Sequence, residues 1–386
     1  MLDRKLINHE FSNIKGVIFL NVASVVIPPK CVQDAYFGFT KQYIKTFGKN
    51  VIPNAWDMIR STRKNVAKLI NAEPLEIAFV KNTTEGIGII ANGLPFKPGG
   101  NVIIVDQEHP ANLYTWINLQ KKGVQLRVIK SRNNDIFIED IIDKIDENTK
   151  AITISAVQFS TGVYTDLVRL GNICKDNKII FIVDGIQAIG RLNIDVKKMN
   201  INYLACGGHK GLLATPGAGF VYCDSAIVND VTPVYACYQS VVNHVKPLTT
   251  RTDFSKIEWH DDARRLESGN LNYAGIAGIN AGVRLINKLG IKEIEKNIIE
   301  LEDVLVKRIK HLGFEFRTPY DKEKSSGILC IYYPQHLENE LQNILDKYNI
   351  FITNRGGYIR LSIDFYNTKE QMIKVSEAFE ELSKII

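Results

Sequence analysis

The sequence predicts an α/β protein whose large domain has a mostly parallel central sheet and is followed by a smaller C-terminal α+β domain. Two observations lead to this prediction. Short, nearly continuous apolar runs rich in β-branched residues recur between residues 16 and 224, as expected for strands buried on both faces. Segments with the helical spacing of apolar residues, such as 56–71, lie between these runs. Strands that alternate with helices are typical of parallel sheets.

The elements follow in order along the chain. The predicted strands of the first part are the apolar runs 16–21, 101–106, 124–130, 151–157, 178–184 and 219–224. After about residue 274 the pattern changes to long helices, then to shorter strands at 327–333 and 358–364, and to a final helix from about Lys369 to Ile386. We therefore predict a large domain over 17–275 and a small domain over 276–386, with residues 1–16 packed on the small domain.

Composition narrows the class of protein. The chain has 386 residues, of which 45% are hydrophobic and 23% charged, and its net charge of +6 is spread along the sequence. No basic block with interleaved aromatic residues indicates a nucleic-acid partner. The N-terminus lacks the apolar core of a signal peptide, and no run is long enough to span a bilayer. The six cysteines show no spacing typical of zinc sites or disulfides. We expect a cytoplasmic protein without a membrane or metal partner.

Chemically informative residues follow the predicted strands, where ligands bind in open α/β sheets. Asp184 ends one apolar run, His109 follows another, and Lys210 lies in the glycine-rich stretch 206–220. Each has a structural alternative: a helix N-cap, a satisfied core histidine and a solvated turn. Pyridoxal 5'-phosphate (PLP) requires a lysine, an acid for its ring nitrogen, a flat group over the ring and an anion cradle. NTTEG (82–86), which opens a predicted helix, supplies a candidate for the cradle.

The chain resembles the class V aminotransferase family of PLP fold type I, which includes cysteine desulfurases and isopenicillin-N-epimerase-like proteins. The resemblance covers nearly the whole chain and is carried by NTTEGI (82–87), EHPAN (108–112), Asp184-x-x-Gln187, GGHKGLLATPGAGF (207–220), RLESGNLNYAGIAG (265–278) and RLSIDFYNT (360–368). It implies a PLP cofactor, an amino-acid substrate and a homodimer with shared active sites.

The resemblance also implies a role for individual residues. Lys210 would form the aldimine with the cofactor and move the Cα proton by way of a quinonoid, and His109, the second residue we assign to catalysis, would stack on the cofactor ring. Asp184 would hold the pyridinium nitrogen and Gln187 the phenolic oxygen. Arg360 matches the arginine that binds the substrate α-carboxylate, for which a planar guanidinium is suited.

The remaining cofactor contacts concern the phosphate end. By the resemblance, Thr83, Thr84 and Glu85 belong to the cofactor site and His209 contacts the phosphate. Asn270 falls where many relatives place a threonine that reaches the phosphate of the neighbouring subunit.

One departure from the family pattern bears on the reaction. Desulfurases carry a nucleophilic cysteine on a loop between two C-terminal arginines, but here only residues 356–359 separate Arg355 from Arg360. Cys237 is the cysteine that we place near the site. We predict a PLP-dependent enzyme that acts at Cα of an amino acid, similar to aminotransferases or epimerases. One alternative is a C–S lyase or desulfurase-like enzyme without the usual cysteine, and another is a catalytically silent PLP-binding protein.

Overall fold

The structure is a computed structural model that describes residues 2–49, 51–242 and 257–386. The strands of this part of the chain are β1 (Ile18–Phe19), β2 (Ile77–Val80), β3 (Asn101–Val105), β4 (Gln125–Ile129), β5 (Thr149–Ser155), β6 (Ile180–Asp184), β7 (Tyr203–Gly207), β8 (Gly219–Cys223), β9 (Ile328–Tyr332), β10 (Ile350–Phe351), β11 (Thr353–Asn354) and β12 (Tyr358–Ser362). Its α-helices are α1 (Arg4–Glu10), α2 (Lys30–Lys45), α3 (Val51–Ile70), α4 (Thr83–Gly93), α5 (Pro110–Leu119), α6 (Ile138–Ile142), α7 (Leu167–Asp176), α8 (Tyr273–Leu289), α9 (Ile291–Ile309), α10 (Glu338–Lys347) and α11 (Lys369–Ser383).

A seven-stranded sheet, in the order β2-β8-β7-β6-β5-β3-β4, organises the first part of the described chain. Neighbours from β7 to β4 pair in parallel, which confirms the predicted α/β class with a mostly parallel sheet. Strand β8 is the exception, since it is antiparallel to both β7 and β2. The connection 208–218 between β7 and β8 is shorter than the dozen or more residues that a parallel crossover requires. This short connection carries Lys210.

A three-stranded antiparallel sheet, β11-β12-β9, lies in the C-terminal part. Apolar side chains from α9, α10 and α11 form a separate core with β9 and β12, and Leu301, Ile331, Leu361 and Phe379 are among them. The apolar run 16–21, predicted as a strand with those of the first part, forms β1, and β1 pairs with β10 in parallel. The sequence analysis did not predict β2, β7, β10 or β11, which have between two and five residues each.

The contacts of the terminal segments bear on the domain boundary. Helix α8, which begins near the predicted boundary at 275, packs against α2 and α3. Helix α1 contacts the segment after β12, where Arg4 Nη1 donates to the carbonyl oxygen of Phe365 at 2.8 Å. The Phe11 ring packs against Tyr366 at 4.7 Å between centroids. The division into 17–275 and 276–386 stays a prediction.

The two sheets meet at the edge where the parallel strands end. The Ser362 hydroxyl at the end of β12 accepts a hydrogen bond from the Ala23 N–H at 3.0 Å, and Asn21 forms a bridge with Ser362. The segment 20–26 therefore connects β12 to the carboxyl ends of the central strands. Within the described residues, no helix has both the length and the apolar character needed to cross a membrane.

Candidate active site

A cavity of about 290 Å³ lies at this edge of the central sheet. Most of the predicted site residues line it, namely Thr83, Thr84, His109, Asp184, Gln187, His209, Lys210 and Arg360. Residues that the sequence analysis did not assign to the site complete the lining: Ala23, Ser24, Asn82, Ala111, Phe159, Ile186 and Arg355. Of the predicted residues, Glu85 and Asn270 are elsewhere and line a separate small recess with Lys81 and Gly217.

Lys210 is held in the cavity by the glycine-rich connection between β7 and β8. The Gly208 N–H donates to the Ala218 carbonyl at 2.8 Å, and a Cβ at Gly208 would lie only 2.8 Å from that same oxygen. Glycine at 208 thus lets the two arms of the connection lie close together. The Lys210 side chain is 8% exposed. Burial lowers the pKa of its amine, although the nearby Asp184 carboxyl opposes this effect.

Asp184 lies at the end of β6 and is 2% exposed. Its Oδ1 accepts a hydrogen bond from the Ile186 N–H at 3.0 Å, so this oxygen provides a partner for a backbone N–H in the turn after β6. Burial raises the pKa of this carboxyl and the negative charge of Glu108 adds to the shift, while Lys210 opposes it. A cationic group in the cavity would favour the ionised form of Asp184.

Gln187 lines the cavity beside Asp184 and is 3% exposed. Its Nε2 donates to the Ala23 carbonyl at 3.0 Å. Its Oε1 is buried and has no hydrogen-bond partner among the described residues. Because a buried polar atom normally has a partner, this oxygen indicates that a ligand or water completes the site.

His109 is the N-cap of α5, and its Nδ1 accepts a hydrogen bond from the Ala111 N–H at 3.1 Å. A ring nitrogen that accepts cannot carry a proton, so the neutral ring is protonated at Nε2. The Phe159 ring meets it edge-on, with 4.9 Å between centroids. Burial, together with the positive charges of Lys210, Arg355 and Arg360, lowers the pKa of His109 to about 4. The imidazole is therefore neutral at physiological pH.

The amino terminus of α4 forms one end of the cavity. Asn82 caps the helix by accepting from the Glu85 N–H at 2.9 Å, and the Glu85 carboxylate accepts from the Lys81 N–H at 2.6 Å. Glu85 therefore belongs to the cap. The Thr83 hydroxyl accepts from the Gly207 N–H at 3.1 Å, whereas Thr84 is exposed to the cavity. The first N–H groups of a helix lack intrahelical partners and attract anions, which suits a phosphate.

Two arginines also line the cavity. Arg360, on β12, donates through Nη1 to the Phe159 carbonyl at 2.9 Å and through Nη2 to the Ser24 hydroxyl at 2.5 Å. Its Nε is buried and lacks a hydrogen-bond partner in the described part of the chain. Burial and the neighbouring Arg355 lower the pKa of Arg360 to about 10, so it remains a cation at neutral pH. Arg355 is exposed, with its guanidinium 5.5 Å from the centre of the Phe159 ring.

Arg355 begins a tight hairpin turn. Its N–H donates to the Tyr358 carbonyl at 2.9 Å, and the two residues between them, Gly356 and Gly357, have φ of +59° and +101°. Positive φ at both central positions is typical of the two-residue turns that join antiparallel strands. The hairpin therefore leaves no room between β11 and β12 for a longer loop that could carry a thiol.

No cysteine of the described residues lines the cavity. Cys237 lies outside it, where its Sγ donates to the Glu267 carbonyl at 3.3 Å. Cys206, on β7, is closer to the site, because the charges of Asp184 and Lys210 act on its thiol. It is 1% exposed, and burial raises its pKa far above the usual range. A buried neutral thiol of this kind is a poor nucleophile.

The sequence analysis assigned no role to the buried carboxyl beside His109. Glu108 is 4% exposed and accepts four hydrogen bonds: from the Ser155 N–H and hydroxyl at 2.6 Å each, and from Gln158 Nε2 and Asn112 Nδ2 at 2.8 Å each. It joins the start of α5 to the end of β5 and to the loop that carries Phe159. Its place in EHPAN was visible in the sequence, but its partners at 155 and 158 were not.

The site fits PLP on its own residues. It has a buried amine, a buried carboxyl, a neutral imidazole and a helix amino terminus around one cavity, and these are the groups that the cofactor requires. The unpartnered Gln187 Oε1 and Arg360 Nε show that the polar lining is incomplete without a ligand. Bound there, PLP would supply an aldehyde carbon for an amine and an electron-withdrawing ring.

Comparison with known proteins agrees with this fit. A cysteine desulfurase from Wigglesworthia glossinidia brevipalpis is 30% identical over 386 residues, which cover 95% of this chain and 89% of that protein. A probable cysteine desulfurase from Methanothermobacter thermautotrophicus is 28% identical over 392 residues, 96% of each chain.

Two solved structures show the same fold. The apo structure of a cysteine desulfurase from Thermococcus onnurineus NA1 matches with a TM-score of 0.89 and 24% identity, over 100% of this chain and 99% of that one. A cystine C–S lyase in complex with its reaction product cysteine persulfide matches with a TM-score of 0.86 and 19% identity, over 96% of this chain and 99% of that one. The prediction of PLP fold type I is confirmed.

Finally, the family model described as Aminotransferase class-V matches residues 18–375. The chain therefore belongs to the class-V aminotransferase family and is a PLP-dependent enzyme.

Proposed function

We propose that the protein is a PLP-dependent C–S lyase that acts on an α-amino acid with a sulfur substituent at Cβ. The observation that carries the proposal is the two-residue turn at Gly356 and Gly357, which joins β11 to β12 without a loop for a nucleophilic thiol. The names of the relatives add support, because they are cysteine desulfurases and a solved neighbour is a cystine C–S lyase. Sulfur chemistry without a cysteine in the cavity favours release of the sulfur group over its transfer to the protein.

Substrate binding is assigned to Arg360. Its guanidinium is held by Ser24 and by the Phe159 carbonyl, and its Nε is free of protein partners in the described residues. A planar carboxylate can accept a pair of parallel hydrogen bonds from such a group. Arg360 would thereby orient Cα of the substrate relative to Lys210.

Proton removal at Cα is assigned to Lys210. Burial lowers the pKa of this amine, so more of it is in the neutral form that accepts a proton. Asp184 would hold a positive charge on the ring nitrogen of the cofactor, and His109 would cover the ring. The Asp184 carboxyl is suited to this role because its burial makes an uncompensated charge costly.

The overall reaction balances with water as the co-reactant. RS–CH₂–CH(NH₃⁺)–COO⁻ and H₂O give RSH, pyruvate and NH₄⁺. Lys210 takes the Cα proton, the Cβ–S bond breaks with its electron pair on sulfur, and the sulfur leaves as a thiol after protonation. No protein thiol takes part. Desulfuration with a protein thiol would give alanine in place of pyruvate, so the carbon product distinguishes the two reactions.

We also propose that the enzyme is a homodimer, as the family resemblance implies. The position of Asn270 outside its own cavity supports this proposal, because a residue there can serve a neighbouring subunit. Sedimentation velocity of the cofactor-loaded protein would give the mass of a dimer, and a monomer at micromolar concentration would contradict it.

The test of the function is a product analysis. The PLP-loaded protein is incubated with L-cysteine, L-cystine and L-alanine in heavy water, and pyruvate, ammonium, alanine and the chirality of each remaining amino acid are followed. Pyruvate and ammonium in equal amounts from a sulfur substrate, unchanged in Cys237→Ser, are the expected result. Alanine as the main product from L-cysteine would overturn the proposal in favour of a desulfurase.

Other outcomes would identify the remaining alternatives. Deuterium at Cα of L-cysteine or L-cystine without loss of sulfur would overturn the lyase assignment, with inversion indicating an epimerase and its absence a transaminase. No exchange with any of the three amino acids, despite a normal cofactor spectrum, would favour a catalytically silent PLP-binding protein.

A further inference from the structure

Arg191 does not line the cavity, but its side chain bonds to two segments that carry lining residues. It is 1% exposed and belongs to the segment that follows Gln187. Its Nη1 donates to the Gln187 carbonyl at 3.0 Å, and its Nη2 donates to the Ile363 carbonyl at 2.7 Å. One guanidinium thus joins the loop after β6 to the chain just after β12.

The two carbonyls belong to the backbone on which the site depends. Gln187 lines the cavity three residues after Asp184, and Ile363 lies three residues after Arg360. The distance between the segment 184–187 and the strand that carries Arg360 is therefore set in part by the span of the Arg191 guanidinium. Its planar fork suits this role, because it can hold two acceptors in fixed directions.

The residues around Arg191 leave space for its guanidinium and place a carboxylate near it. The Asp364 carboxylate lies 4.0 Å from its Nε. Gly327, with φ of +77°, lies against the guanidinium, and a Cβ there would be 2.7 Å from Nη2. The Gly327 N–H donates to Glu302 Oε2 at 2.8 Å, and its carbonyl accepts from the Ile363 N–H at 2.7 Å. Glycine at 327 thus leaves space for Arg191 and connects α9 to the same strand end.

Several polar atoms of this cluster are unpartnered within the described residues: Arg191 Nε, Glu302 Oε1, Asp364 Oδ2 and Tyr366 Oη. A buried charged cluster with incomplete hydrogen bonding is a weak source of stability. The well-formed bonds of Arg191 are those to the two backbone carbonyls. This asymmetry indicates that the cluster serves to position the backbone.

We propose that Arg191 is a positioning residue that holds Arg360 at the correct distance from Asp184 and Gln187, and so determines how well the enzyme selects an α-carboxylate. The inference rests on the proposed role of Arg360 in substrate binding. Arg191→Lys keeps the charge next to Asp364 but cannot span both carbonyls. The site would then accept the amino group as before and lose part of its preference for the carboxylate.

The test compares binding of L-alanine and L-alaninamide, which differ only in the carboxylate, by absorbance titration of the PLP-loaded protein. In Arg191→Lys the dissociation constant for L-alanine should rise about tenfold and that for L-alaninamide less than twofold. Arg63→Lys is the matched control, because Arg63 is also buried and bonds Glu267 at 2.5 Å and the Ile77 carbonyl, none of which line the cavity. It should lower thermal stability and leave the preference for L-alanine unchanged.

A second variant keeps the proposal testable if Arg191→Lys does not fold. Arg191→Met combined with Asp364→Asn removes both opposite charges and both carbonyl contacts, and should lose at least as much preference as Arg191→Lys. If either folded variant keeps the wild-type ratio of the two constants within twofold, the positioning role is overturned. If the wild-type enzyme itself fails to prefer L-alanine, the proposed role of Arg360 is overturned, and the inference about Arg191 with it.

Discussion

The two sides of the cavity are built in different ways. On the sheet side, Asp184 and Lys210 are almost fully buried at the ends of central strands. On the hairpin side, Arg360 is buried but Arg355 is exposed, and a turn of two glycines lies between β11 and β12. Both Asp184 and Arg360 lie on strands that are paired on both edges, Asp184 on β6 and Arg360 on β12. The two sides differ in what surrounds these side chains, since the Arg360 guanidinium is held by the Ser24 hydroxyl and the Phe159 carbonyl.

This difference separates two properties of the enzyme. Burial on the sheet side shifts the pKa values of Asp184 and Lys210, and we assign proton transfer to that side. We propose that the length of the turn on the hairpin side determines whether a thiol can reach the cavity, and so which reaction follows proton transfer. Variants of the two sides should therefore affect different measured quantities.

The largest effect is expected on the sheet side. Lys210→Ala should lower kcat by a factor of about 10³ or more, because it removes the proposed base for the Cα proton. It should also abolish the absorbance of the covalent cofactor linkage. The matched control is Lys197→Ala, since Lys197 pairs with Glu76 at 2.6 Å outside the cavity. Turnover in Lys210→Ala above a tenth of the wild-type rate would argue against the assignment.

The second effect tests the hairpin side. Arg360→Gln should raise KM by about 10- to 100-fold with a smaller change in kcat, because charge-assisted hydrogen bonds are worth about 1.5–3 kcal/mol. Arg355→Gln should change KM by less than about threefold, since exposed charges contribute little. Steady-state kinetics on the same sulfur substrate measure both. Equal effects of the two variants would show that the exposed arginine also binds substrate.

The third effect concerns His109, whose pKa depends on cations of both sides. Its pKa is lowered to about 4 from the usual 6.5, so the unfolded chain binds more protons than the folded one between these values. Its contribution to stability is therefore complete above pH 6.5 and is lost as the pH falls towards 4. His109→Asn keeps a side-chain acceptor for the helix cap and removes the titration.

The cofactor-free protein is the form to measure. The fall in Tm between pH 7 and pH 5 should be smaller in His109→Asn than in wild type, by about 1–3 °C, because part of the imidazole is exposed. An identical fall in both proteins would mean that His109 is not a source of acid sensitivity.

The smallest effect should come from the turn itself. Gly357→Ala places a side chain at φ of +101° without any atom within 4 Å of the new Cβ, so the cost is backbone strain of about 1–2 kcal/mol. Gly16→Ala is a close control, with φ of +86° and equally open space. Urea denaturation should show similar losses for both, and only Gly357→Ala should change KM, by up to about threefold. A change in KM for Gly16→Ala would remove the link to the hairpin.

Local patterns predicted the parts of the fold that depend on near neighbours. The NTTEG stretch begins α4 at Thr83 because Asn82 caps it, and the glycines of 206–220 allow close approach of the chain around Lys210. The same patterns did not distinguish Thr84, which lines the cavity, from Glu85, which turns back to cap the helix. Both residues are polar and adjacent, and only the direction of the side chain separates them.

The alternation of apolar runs and helical segments was sufficient to predict the α/β class, because that class follows from the periodicity of the sequence. The order of the apolar runs was sufficient to predict that Asp184 and Lys210 lie at the ligand-binding edge of the sheet, because a topology rule places ligands at the carboxyl ends of the strands. Tertiary structure alone decided that β1 pairs with β10, that Cys206 and not Cys237 lies beside Asp184 and Lys210, and that Arg191 joins Gln187 to Ile363. The physical reason is that the role of a buried polar group depends on the hydrogen-bond partners that the fold brings next to it. The partners of Arg191 and Glu108 come from distant parts of the chain, and no local pattern specifies such pairs.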